Sequence, residues 1–131
     1  MARTDDPSIA DEDALWRRIL AHRGWIVRAS NGGFRPSSVA FLDNLNGEVS
    51  VHVARLTTKD LVLADYPDQS LAEILAHVPR SLGHVVAFDK KPNDLSHAVI
   101  CPPPQIPNKR RKRDAREMAE RARWILLQPQ S

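Results

Sequence analysis

The chain is poor in the residues that usually announce an activity. Of its 131 residues only Cys101 is a cysteine. No internal disulfide can form, so a reducing cytoplasm is the expected compartment. The seven aromatics are three Phe, three Trp and one Tyr, and none interleaves the most basic stretch, so no platform for stacked bases is visible. No apolar run approaches the ~18–20 residues needed to cross a bilayer, and no membrane partner is expected. The N-terminal MARTDDPSIADEDALW is acidic and lacks the apolar centre of a secretory signal. Gly32-Gly33 is too short for a phosphate-binding loop, and the Gly-rich nucleotide fingerprints, zinc-finger patterns and RNP patterns are absent. The five histidines have no metal-ligand spacing. No metal and no cofactor are therefore expected.

What is present is the composition of a folded domain. Hydrophobic residues make up 42 % of the chain, enough for a core and unlike a disordered segment. The strongest local pattern lies at Phe34 to Leu56. Val49, Val51 and Val53 alternate with Ser50, His52 and Ala54, the period of a half-buried strand. Asn46-Gly47 is a tight-turn dipeptide, preceded by the apolar run Val39 to Leu42. This spacing predicts a central β-hairpin over 38–55, with Ser38–Asp43 paired to Glu48–Arg55.

Residues 1–10 read as a flexible leader. Asp11, Glu12 and Asp13 would then open a helix to about His22, with Leu15, Trp16, Ile19 and Leu20 as its apolar stripe. A short strand is expected at Trp25 to Arg28. Thr57 or Thr58 would cap a short helix from Lys59 to about Ala64. Leu71, Ile74 and Leu75 predict a helix over 70–78. Strands follow at His84 to Phe88 and His97 to Cys101. The prolines of 102–108 exclude a central strand and form a spacer. Asp114 with Glu117 resembles a capping box, which predicts a docked C-terminal helix from about 114 to 127. The fold class expected is α+β. It comprises one domain over 11–101, with a small antiparallel sheet of three to five strands and helices on one face, then the spacer, then a basic segment and helix over 109–127.

Charge is unevenly spread. Lys109 to Arg123 holds eight Lys/Arg against three Asp/Glu, a local +5 that leaves −2 for the rest of a chain of formal charge +3. Lys109, Arg110, Arg111, Lys112, Arg113 and Arg116 are the candidate anion-binding residues. The leading expectation is a non-enzymatic module contacting DNA, RNA or an acidic protein through them. The plain counter-explanation is a solvated run that keeps a Pro-rich segment soluble. An alternative polar site is Arg35, Ser37 and Ser38 with His52 or His97, acting on a phosphate-bearing substrate or nucleotide. Turn serines that satisfy local backbone donors would look the same. His52 and His97 would be cross-strand neighbours. No residue is assigned a catalytic role. His97 and Cys101 on one strand would be about 13 Å apart, too far for a nucleophile and its base, and a packed thiol is the ordinary state.

The succession ALWRRI, RPSSVAF, GEVSVHVA, LTT and HAVICP over 12–101 resembles a group of uncharacterised small bacterial proteins. The resemblance implies a bacterial cytoplasmic protein and no particular activity. It leaves open a third role, a protein–protein adaptor or a component of a toxin–antitoxin or phage-defence system.

Overall fold

A computed structural model describes residues 3–20, 24–42 and 47–130. Six antiparallel strands form one sheet in the order β6-β7-β4-β1-β5-β8. They are β1 (Ala14–Ile19), β4 (Val49–Val53), β5 (Ser70–Leu75), β6 (Val85–Phe88), β7 (His97–Cys101) and β8 (Arg123–Leu126). A separate hairpin joins β2 (Ile26–Arg28) to β3 (Phe34–Pro36). Three helices complete the described chain: α1 (Lys59–Val62), α2 (His77–Ser81) and α3 (Asn108–Arg121). The class is α+β, with a larger sheet than the three to five strands expected. Among the described residues no helix is long and apolar enough to cross a membrane.

The sheet has two unlike faces. Leu15, Ile19, Val49, Val51, Val53, Ala72, Ile74, Val86, Ala98 and Ile100 belong to the main core, shared with Ala115, Met118 and Ala119 of α3. The opposite face carries Leu71 with Val62 of α1 and the following Leu63, and Trp16 and Leu126 at their margin. Alternation along each strand sends neighbouring residues to these two sides.

Several expected elements differ. The predicted helix over 11–22 is replaced by β1 at Ala14–Ile19; its last two positions, 21 and 22, lie outside the described residues. Its acids do not serve a helix terminus. Asp13 accepts from Ala10 N (2.8 Å) and Arg55 Nε (3.0 Å), and Asp11 accepts from Arg80 (2.9 Å). Most of the predicted helix over 70–78 is β5, which pairs with β1 on one side and β8 on the other; only its last two residues are helical, in α2. A strand buried on both faces loses its polar alternation and imitates a helix in sequence.

The central hairpin does not form. Ser38–Phe41 is a 3-10 turn that buries Ala40 and Phe41. β4 is flanked by β1 and β7, so no edge of it is open to residues 38–43. Residues 43–46 lie outside the described residues. Gly47 does have the positive φ of +78° that the turn dipeptide suggested. The Thr58 cap on α1 is present, its Oγ1 accepting from Leu61 N at 3.2 Å.

Both ends of the chain depart from expectation because both join the sheet: one covers the outer strand β6 and the other adds β8 beside β5. Residues 3–10 are not a loose leader. Asp6 N donates to Val86 O (2.9 Å) and Asp5 Oδ1 accepts from Val86 N (2.9 Å), which satisfies β6 on its outer side. Ile9 is 1 % exposed in the main core. Arg80 holds this segment, reaching Asp5 Oδ1 (3.0 Å) and Asp6 O (2.9 Å). At the other edge, the chain leaves α3 at Ala122 in extended conformation and becomes β8, where the predicted helix would have run on to 127. Arg123 meets Glu73 there and Gln128 N donates to Ser70 Oγ (2.9 Å).

Candidate functional site

The basic run lies inside α3, which begins at Asn108 rather than near Asp114. This changes its geometry. Lys109, Lys112, Arg113 and Arg116 fall at i, i+3, i+4 and i+7, one helix face, and all four are exposed. Together with Ser38, Pro107 and Arg110 they line a cavity of about 480 Å³. Lys109, Lys112 and Arg116 make no ion pair among the described residues. Arg113 has only a 3.7 Å approach to Asp114.

The opposite face of α3 is built for anchorage. Asp114 is fully buried and accepts from His84 Nε2 at 2.8 Å. It is the seventh residue of the helix, not its cap. Arg110 lies 3.5 Å from Asp114 Oδ2 and donates to Leu82 O at 2.8 Å. Arg111 reaches Asn108 Oδ1 at 3.5 Å. The six candidate cations therefore divide. Arg110 and Arg111 hold the helix and its surroundings, while the other four form an outward stripe.

The alternative polar set is not brought together. Arg35 is exposed on β3 and donates to Pro36 O (3.2 Å). Ser37 is buried, its hydroxyl donating to the carbonyl of Gly24, 13 residues earlier, and not to a local backbone group. Ser38 lines the α3 cavity on the main-core side. His52 and His97 are cross-strand partners, as expected, with rings 5.7 Å apart in a T-shape, but they lie across the sheet from Ser38. His97 Nδ1 donates to Asp89 O (2.9 Å). Neither cavity lined by His52 includes Arg35, Ser37 or Ser38.

On that second face the register makes a polar row that the sequence pattern did not reveal. His97, His52, Trp16, Glu73 and Arg123 are directly opposed across β7, β4, β1, β5 and β8. Glu73 accepts from Trp16 Nε1 (3.0 Å) and from Arg123. His52 Nδ1 is 3.0 Å from Asp94 Oδ2 and 3.2 Å from Ser96 Oγ. Burial holds the His52 imidazole below its usual range, with Asp94 opposing and Arg18 assisting. Burial raises the Asp94 carboxyl, but the Ser96 hydrogen bonds and His52 outweigh it and the net shift is downward. An ionised Asp94 facing Nδ1 assigns the ring proton to that nitrogen. Nε2 has no partner among the described residues.

Next to Arg18, Arg17 points to the core side where β1 and β4 part beyond Trp16. It donates to Ala40 O (2.6 Å) and Ser50 O (2.7 Å), in place of missing ladder bonds. Burial, with a smaller contribution from Arg18, lowers its pKa to about 10. Among the described residues no group of three or more His, Cys, Asp or Glu could hold a metal ion. No protein-family model, curated protein or solved structure matches the chain.

Proposed function

We propose that the protein is a nucleic-acid-binding module whose contact surface is the exposed face of α3. The observation that carries this reading is the stripe of Lys109, Lys112, Arg113 and Arg116 around a 480 Å³ cavity, with three of the four lacking carboxylate partners among the described residues. Fold stability does not account for the arrangement. The first turn of α3 contains no acidic residue, and cations there oppose the helix dipole. Like charges at i, i+3 and i, i+4 also repel one another. A surface that costs the fold something, yet is kept whole on one side of a helix, suits a polyanion. Seven residues of helix rise span about 10 Å, close to the three steps of ~3.4 Å that separate four successive phosphates of one strand.

Binding to duplex DNA or to RNA measured against salt tests this. Four phosphate contacts give a slope of about −3.6 in log K against log salt on B-DNA, or a loss of about a hundredfold between 50 and 200 mM. An acidic protein partner is the competing outcome. It would be indicated by retention of a polyglutamate ligand with no measurable affinity for nucleic acid at low salt.

A further inference from the structure

The second face of the sheet carries a cleft unrelated to α3. It is about 420 Å³ in volume and lies between β4, α1 and the loop before β7. That is within the range of small-molecule sites, which are mostly apolar with a few convergent polar groups. Four of the six exposed large hydrophobics of the described chain line it: Leu56 at 43 %, Leu61 at 69 %, Tyr66 at 41 % and Leu95 at 63 % exposure. Such a ring around one concavity is not the scatter of a plain surface.

Two polar groups in the wall have bonding capacity to spare. The Arg18 guanidinium lies 4.1 Å over the Tyr66 ring, and its one hydrogen bond among the described residues, to Val62 O, is long at 3.5 Å. It has no carboxylate partner among the described residues. His52 is 6 % exposed, its Nδ1 is committed to Asp94, and its Nε2 lone pair is unpartnered. Asp94 itself is engaged by His52 and Ser96, and Asp65 stands exposed at the mouth.

We propose that this cleft binds a small monocarboxylate with an apolar body. Arg18 takes the carboxylate through its paired N–H groups. Leu56, Leu61 and Leu95 receive the apolar body. His52 Nε2 accepts a hydrogen bond from a donor on the ligand. With two aspartates beside the single arginine, a phosphate dianion is repelled more strongly than a monocarboxylate.

The test titrates octanoate, octyl phosphate, octanol and octylamine into the whole protein labelled with 15N. Amide shifts are followed, with the DNA-binding activity of α3 recorded separately. Octanoate is expected to shift the amides of Arg18, His52, Leu61 and Leu95. Octanol and octylamine should bind at least about tenfold more weakly, and Arg18→Gln should weaken octanoate about 10–100-fold, the worth of a charged hydrogen bond. Leu61→Asp, at an exposed position that folding does not need, should also weaken it by placing a negative charge at the mouth. Equal binding of octanol or octylamine, tighter binding of octyl phosphate, shifts elsewhere, or no shifts at saturating octanoate would overturn the proposal.

Discussion

Consider replacing Lys109, Lys112 and Arg116 together by Gln. Arg113 is left in place because of its 3.7 Å approach to the buried Asp114. The native stripe contains four like-charge pairs at i, i+3 or i, i+4: 109/112, 109/113, 112/116 and 113/116. At about 0.2–0.5 kcal/mol each, removing all four relieves about 1–2 kcal/mol, reduced by a similar single increment for the attractive Arg116/Glu120 pair lost at i, i+4. Loss of the Lys109 charge from the first turn adds about 0.3–1 kcal/mol through the dipole. Gln has nearly the helix propensity of Lys and Arg, so the backbone contributes little. The triple variant should therefore be more stable than the native chain, by about 3–10 °C in Tm for a domain of this size. Denaturant melts at 50 mM salt, where surface repulsion is least screened, measure this best. The same variant should keep a single phosphate contact, so its salt slope should fall to about −0.9. A gain in stability together with a loss of DNA affinity is what a binding surface gives. A variant destabilised by more than about 1 kcal/mol would mean the cations hold the fold, and the reasoning would fail.

Other outcomes follow from the anchoring contacts. Ile9→Ala should cost about 2–5 kcal/mol, since the side chain is 1 % exposed in the main core and leaves a cavity; a denaturant midpoint within error of the native value would contradict the docked N-terminal segment. Asp114→Ala should cost about 3–5 kcal/mol by stranding His84 and Arg110, seen as faster amide exchange throughout α3. Burial holds the folded-state His52 pKa below the ordinary histidine value of 6.5, so the unfolded chain takes up its proton first. Its contribution to stability is full above pH 6.5 and is lost as pH falls through the folded value. An NMR titration placing the His52 imidazole above 6.5 would refute the sign.

Strands β2, β6 and β7 and the short helix α1 are legible in the chain because each combines a local pattern with a clear stop. β4 is legible for the same reason, and only its partner is misread. Strand β5 is not legible: SLAEIL is covered on both sides, and its Leu71/Ile74/Leu75 spacing fits a helix as well as a strand. β1 fails similarly, because Arg17 faces the core and bonds to carbonyls rather than to solvent. The stretches ALWRRI, GEVSVHVA and HAVICP hold β1, β4 and β7 in the interior of the sheet. The basic residues are legible as a run, but their i, i+3, i+4, i+7 stripe depends on a helix start six residues earlier than the Asp114 pattern suggests. The Arg18–His52 cleft is illegible for a simpler reason. Its residues come from β1, β4, α1 and the loop before β7, and only the strand register brings them together.

The margins of the sheet are built by chain from opposite ends: residues 5 and 6 lie along the outer strand β6, and β8 completes the sheet beside β5 as its other outer strand. Each of these segments is joined to its partner across a long span, 81 residues from Asp5 to Val86 and 50 from Glu73 to Arg123. Such distant closures make folding slow, in the millisecond-to-second range. Until the second closure is made, a bare hydrogen-bonding margin is open to another copy. Trimming either end should therefore produce a sticky protein prone to self-pairing before it produces an unfolded one.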